Sequence, residues 1–339
     1  MSNPLNLKEV NGGRRLMSGP TVLFYHGVTE KPSEPNVSTL HHSEGEFAAQ
    51  MAFLTRYFNV ISMETLEKKL VSNGHVSSRD IVLTFDDGFK NNLTHAAPIV
   101  DEYSLTPTLF ISTEHINSGR RYPTFIVRAG IWHLDQKEIF LETIQSRYLL
   151  TPELKKQFAI KDILSRLKQG SIHLARQLTE EIESLLTPAR WQELNSIYYS
   201  EEVLNWEEVK LLADSGWEIG SHCKDHAILN GSNGQEAINE QVRESKAQIT
   251  SILDDCKYFS YPNGEMGYVS EIARAEVERS GYSLAFTAQA GDLQGSLDRW
   301  LLPRRLAPKT VPHLFSVLQS SVLYRAQHRR WVESLMFKK

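Results

Sequence analysis

One recurring alternation limits what this chain can fold into more than any other feature. Short runs rich in β-branched and aromatic residues return repeatedly between stretches with helical apolar spacing. The predicted strands cover residues 22–25, 59–61, 81–85, 108–111, 218–220, 258–261 and 283–287, with a last short one near 301–302. Most of them lack polar alternation and read as buried on both faces. That is the signature of a parallel sheet or barrel with helices outside, an α/β fold.

Helix signals lie between the strands. Asn205 followed by Glu208 is a capping box opening a helix that runs to Ser215, with Gly216 as its stop. Residues 236–253 carry apolar positions at Ile238, Val242, Ile249, Ile252 and Leu253, and residues 270–280 end at Gly281. From about 120 to 199 the rhythm breaks. Helical stripes (Ile160, Ile163, Leu164 and Leu167, then Leu174, Leu178, Ile182 and Leu185) appear there without a convincing strand. An all-helical insertion is expected, either a wall over the site or an outgrowth packing on the barrel.

Polar residues gather at the strand ends. His26 follows the first strand, Asp86 and Asp87 the third, His222 the fifth, and Pro262-Asn263-Gly264 the sixth. In a parallel barrel those carboxyl ends share one rim, where catalytic groups collect. His222 and His226, four apart, can chelate one ion from a single helical turn. An Asp after a strand often caps the next helix. Here, however, the Asp pair and the His pair together supply three metal ligands and a spare carboxylate, the kit for metal-assisted hydrolysis. The stretch from His222 to His226 lacks the Glu of the metalloprotease pattern His-Glu-x-x-His, which disfavours a peptidase. Cys223 should point away from an ion held by its neighbour.

With these residues in view, the chain resembles the polysaccharide deacetylases, the NodB-homology group of carbohydrate esterase family 4. Thr84-Phe85-Asp86-Asp87-Gly88 matches the first motif, and His222 to His226 resembles the second, His-(Ser/Thr)-x-x-His, with Cys223 in place of the Ser/Thr. The likeness runs from about 21 to 306, interrupted by the insertion. It implies a distorted (β/α)7 barrel, Asp86 as the base, and Asp87, His222 and His226 as ligands of a divalent ion, Zn²⁺ by preference. The third motif, Arg-x-x-Pro-Tyr, corresponds to Phe259-Ser260-Tyr261-Pro262-Asn263, so Phe259 stands where the base-holding Arg belongs. Arg304 or Arg305 is the candidate replacement. The Asn263 backbone N–H, with Tyr261 beside it, is the candidate for substrate and oxyanion contacts. The late Leu-x-His motif is missing, and His313 lacks its context. The segment Tyr25-His26 resembles the branch with an N-terminal Tyr-His, which implies His26 as the general acid. Trp300 is a loose match to a fourth, site-lining motif.

The implied activity is removal of N-acetyl groups from an N-acetylated sugar or polysaccharide. Hydrolysis of another non-peptide C–N bond, in a cyclic amide or ureide, stays open because the base-holding Arg is absent. A barrel that binds glycan without cleaving it is the remaining alternative. His41, His42, His75, His95, His115, His133, His173 and His328 have no partner motif and read as surface or packing residues.

A net charge of −4 gives no reason to expect a nucleic-acid partner. No stretch approaches the 18 or so apolar residues of a membrane span. The first 20 residues lack a signal-peptide core, and the chain has only two cysteines, Cys223 and Cys256, so the expected address is the cytoplasm. A single barrel domain is expected across residues 1–339, ending in a basic helix over about 311–339. Its Arg325, Arg329, Arg330, Trp331, Leu335 and Phe337 could lie on an anionic membrane surface or pack on the barrel.

Overall fold

Seven parallel strands close on themselves in the computed structural model, which describes residues 5–6, 19–30, 34, 36–72, 76–265 and 267–319. They are β1 (Thr21–Tyr25), β2 (Asp80–Phe85), β3 (Thr108–Ile111), β4 (Glu218–Ser221), β5 (Tyr258–Ser260), β6 (Leu284–Ala290) and β7 (Leu302–Leu306). Each pairs with the next in sequence, and β7 returns to β1 with Arg305 opposite Leu23 and Leu306 opposite Phe24. This is the (β/α)7 barrel that the resemblance implied. The expected strand at 59–61 exists as Asn59–Val60, but it is appended outside the ring along the start of β2.

Twelve α-helices among the described residues accompany the strands. They are α1 (Glu44–Tyr57), α2 (Met63–Val71), α3 (Ala97–Glu102), α4 (Thr113–Ser118), α5 (Pro123–Trp132) and α6 (Glu153–Gln169). The later six are α7 (Ile172–Ser184), α8 (Pro188–Ile197), α9 (Trp206–Asp214), α10 (Gln235–Leu253), α11 (Glu271–Arg279) and α12 (Val311–Gln319). The expected capping box opens α9, with Asn205 and Glu208 bonding each other's backbone N–H.

The period-2 alternation of strands sorts every side chain by parity. Leu23, Leu83, Phe85, Leu109, Ile111, Phe259 and Ala285 point outward and join the helices through Phe47, Val209, Ile238, Val242 and Val277. Val22, Val82, Phe110, Tyr258, Leu284, Phe286 and Leu302 point inward and meet Met63, Leu66 and Leu70 of α2. Helix α2 thereby plugs the end where the strands begin. Glu218, the first residue of β4, accepts from the N–H groups of Met63 at 2.9 Å and Glu64 at 2.8 Å, where the helix N-terminus favours a carboxylate. Asp80 holds Lys69 at 2.7 Å, and the Tyr258 hydroxyl donates to Glu67 at 2.8 Å. The opposite end, where the strands finish, is left for chemistry.

The insertion differs from expectation in one respect. It contains α5 to α8, but also an antiparallel hairpin of Glu138–Leu141 with Ser146–Leu149. Ile139 and Leu141 face a core of their own while Phe140 is exposed, so an outward phenylalanine hides the alternation in the sequence. That core unites Phe125, Ile131, Ile160, Ile163, Leu167, Leu178, Ile182 and Leu194, which realises both helical stripes. Among the described residues no helix is long and apolar enough to cross a membrane. The basic stretch expected at 324–339 lies outside the described residues.

Candidate active site and metal centre

Inward parity continues past the strand ends and delivers the polar groups. On β2 it runs Val82, Thr84, Asp86; on β4 it runs Gly220, His222; on β7 it runs Leu302, Arg304. Asp86 and Arg304 form a bidentate pair, Nη1 to Oδ1 at 2.8 Å and Nη2 to Oδ2 at 2.7 Å. The remaining guanidinium N–H groups reach the Thr84 hydroxyl at 3.1 Å, the Ser260 hydroxyl at 2.7 Å and the Thr287 carbonyl at 3.1 Å. All five donors of a fully buried arginine are therefore used. The ring of Phe24 lies 4.6 Å from the guanidinium carbon. Burial opposes the charge on Asp86, but Arg304 outweighs it and holds the carboxyl below its ordinary range.

Parity also decides between the two candidate arginines. Arg305 faces outward and pairs with Asp292 at 2.6 Å. Phe259, at the motif position of the missing Arg, is outward too and sits in the helix-facing core.

Asp87, His222 and His226 converge. Their ligand atoms all lie within 4.8 Å of one another. Asp87 Oδ1 is 3.5 Å from His222 Nε2 and 3.2 Å from His226 Nε2. His222 Nδ1 donates to the Ser260 carbonyl at 2.7 Å, which fixes the tautomer and aims the Nε2 lone pair at Asp87. Burial pushes the His222 pKa down to about 4, so the ring is neutral, as a ligand must be. Burial acts against ionised Asp87, yet His226, His26 and His222 together hold it well below the carboxylate range. Asp87 Oδ1 is buried and makes no well-formed hydrogen bond. A buried anionic oxygen facing two imidazole lone pairs fits a divalent cation.

The backbone is bent to achieve this. Seven described non-glycine residues have positive φ, and four of them belong to the site loops: Asp87 (78°), Cys223 (66°), His226 (54°) and Asn263 (54°). Left-handed backbone at such residues costs free energy and gathers where geometry is over-determined. Cys223 itself turns into the outer core and is absent from the ligand cluster, as expected.

His26 follows β1 and is half-buried. Burial lowers its pKa, and the charges of Asp87 and Asp86 partly offset this, so the imidazole feels both carboxylates. Its Nδ1 has no partner among the described residues. Asn263, in the loop after β5, lines a cavity of about 490 Å³ together with His226. The other sequence candidates fall elsewhere. Tyr261 shares the outward parity of Phe259, meets its ring edge-to-face with centroids 5.0 Å apart and is 1% exposed, so its side chain lies in the helix-facing layer. Trp300 precedes β7, beside the strand starts, and covers Arg274 at 4.7 Å. His313 is exposed on α12.

Several contributors escaped the sequence reading. Ser260 serves both His222 and Arg304, and its inward parity was the available signal. Tyr122 donates its hydroxyl to the Asp87 carbonyl and sets its ring 4.9 Å from that of His226; nothing in the sequence marks it. His115, read as a packing residue, lies 4.2 Å from the Tyr122 ring and lines the same cavity. The far wall comes from the insertion through Leu167, Ile172 and Arg176, and Arg176 pairs with Asp225 at 3.2 Å. The insertion therefore contributes lining residues to the cavity that holds His226 and Asn263.

A family model described as polysaccharide deacetylase matches residues 73–285. That span carries Asp86, Asp87, His222 and His226 and stops short of Arg304. A Bacillus subtilis protein named as a polysaccharide deacetylase, YxkH, is 21% identical over 289 residues, covering 85% of this chain and 71% of that protein. Among solved structures, the Streptococcus pyogenes deacetylase PplD in complex with acetate superposes with a TM-score of 0.59 at 16% identity, over 90% of this chain and 98% of that one. IcaB from Ammonifex degensii gives 0.57 at 17% identity, again over 90% and 98%. At such identities the structural likeness speaks for the fold.

Proposed function

The chain belongs to the polysaccharide deacetylase family, and from that premise we propose that it removes N-acetyl groups from an N-acetylated sugar or polysaccharide with a divalent metal ion. Asp87, His222 and His226 would hold the ion, and Zn²⁺ suits one carboxylate with two imidazoles. When bound, such an ion lowers the pKa of water and polarises the acetyl carbonyl.

The chain's own residues account for the remaining steps. Asp86, kept ionised and aligned by Arg304, takes the proton from the attacking water. The backbone N–H of Asn263 has no partner among the described residues and is free to donate to the developing oxyanion. His26 hands a proton to the departing nitrogen, so that acetate and a free amine leave. The observation that carries this reading is the ligand trio with a carboxylate locked beside it. A protein that only bound glycan would have no use for that spare carboxylate. The vacant Arg position added weight to a cyclic amide or ureide as substrate, and the Arg304 pair to Asp86 from another strand lessens that weight.

The test is acetate release from N-acetylglucosamine oligomers, with and without chelator, beside a panel of small cyclic amides. Chelator-sensitive acetate release is expected; turnover of the cyclic amides alone would overturn the assignment.

A further inference from the structure

A second cavity, of about 480 Å³, opens on the other side of α6. Its lining includes Arg128 of α5 and Lys161, Ser165 and Lys168 of α6, with Tyr268 from the loop after β5 and Asn36 from the loop after β1. Residues 161, 165 and 168 are spaced to share one helix face. Three cations line this cavity and no acidic side chain does. None of the three forms an ion pair among the described residues: Arg128 feels Glu201, and Lys168 feels Glu265, only as neighbouring charges. Arg128 and Lys168 are also half-buried, and burial lowers the pKa of both. Folding has partly withdrawn two cations from water and paired neither with a carboxylate in contact, leaving only the neighbouring charges of Glu201 and Glu265, an arrangement that an anionic ligand would relieve.

The position links this cavity to the reaction. Leu167 lines the cavity that holds His226 and Asn263, and the next residue, Lys168, lines the cationic one. The two spaces flank a single helix, about 10–12 Å across with its side chains.

We propose that the cationic cavity seats a phosphate or diphosphate group attached to the N-acetylated sugar on which the site acts, an inference that rests on the deacetylase reading. One carboxylate needs a single cation. Three cations with a planar guanidinium and flanking hydroxyl and amide groups match a multiply charged phosphoryl group better. The substrate class is then a sugar phosphate or diphosphate conjugate, with a nucleotide or a lipid carrier as the two sources of that chemistry.

Calorimetric titration of the full chain tests this with inorganic pyrophosphate, galacturonate and a nucleoside-diphosphate N-acetylhexosamine. Pyrophosphate should bind, weaken with added salt and exceed galacturonate at least about tenfold in affinity. Lys161→Gln, at an exposed position that tolerates the change, and Lys168→Gln should each weaken it about tenfold. Lys210→Gln, which removes the same charge from an exposed position of α9, should not. Tighter binding of the nucleotide sugar than of pyrophosphate supports a nucleotide carrier; equal binding supports the shared phosphoryl chemistry on another carrier. No pyrophosphate binding, equal affinity for galacturonate, or equal weakening by Lys210→Gln would overturn the inference. Binding is read without turnover. Its failure therefore leaves hydrolysis of neutral glycans standing, and a lack of acetate release from every glycan leaves the binding result intact.

Discussion

Arg304 grips Asp86 through two parallel N–H···O bonds of 2.8 and 2.7 Å, joining the last strand of the barrel to the second. Among the described residues neither partner forms another ion pair, and both are buried. The pair is both the alignment of the proposed base and a structural bond, and these two roles separate experimentally.

Asp86→Asn keeps the shape and removes the proton acceptor. Turnover should fall by about 10²–10⁴-fold, the usual worth of a positioned base, while bound metal measured by elemental analysis stays at the wild-type ratio. Loss of metal in this variant would reassign Asp86 as a ligand.

Arg304→Gln strands a buried carboxylate. Chemical denaturation should show about 3–5 kcal/mol lost, and the double variant with Asp86→Asn should recover part of that loss. Arg304→Lys should not restore the wild-type rate, because a single ammonium cannot form the paired bonds. Full rescue by lysine would mean that charge alone matters.

Tyr122→Phe removes the hydroxyl that holds the Asp87 carbonyl and leaves the ring against His226. Metal affinity, measured by competition with a chromogenic chelator, should drop about 10–100-fold, as is usual when a group that orients a ligand is lost. The wild-type protein should in turn lose thermal stability on chelation, equivalent to about 2.7 kcal/mol where metal stood at a hundredfold its Kd. An unchanged melting curve would argue against a resident ion.

Acid should destabilise the chelated protein before its carboxylates titrate. Burial pushes His42 and His115 down to about 4, whereas unfolded histidine titrates near 6.5. Below about pH 6.5 the unfolded chain takes up protons that the folded one refuses. Stability is therefore complete above pH 6.5 and declines toward pH 4, by up to about 1.4 kcal/mol per pH unit for each ring. Denaturant titrations at pH 7, 6 and 5 read that slope. His42→Gln should make it shallower, and an unchanged slope would show that His42 does not contribute.

Much of the site was legible because strand parity is a strict rule. Thr84 and Asp86, like Leu302 and Arg304, lie two apart, so the same alternation that buries Leu302 inside the barrel selects Arg304 over Arg305. Applied to β5, the rule also excludes Tyr261, whose neighbour two back, Phe259, is outward. The reading of Tyr261 as a substrate contact followed motif proximity instead. Less was available for the insertion hairpin. Its turn, Glu142 to Gln145, has no glycine, proline or asparagine, and Gln145 adopts the left-handed φ of 47° unaided. Tyr122 was out of reach for another reason: its partner is a carbonyl 35 residues away, and no local pattern encodes such a bond.

The ring closes late. β7 is the last strand of the ring and pairs with the first, and the guanidinium it carries completes the polar cluster. During synthesis Asp87, His222 and His226, the proposed metal ligands, leave the ribosome well before residue 304. Until then Asp86 has no counter-ion, and the barrel has an open seam between β1 and β6. A product truncated short of Leu302 would keep Asp87, His222 and His226 but lack both the strand that closes the ring and the guanidinium that clamps Asp86.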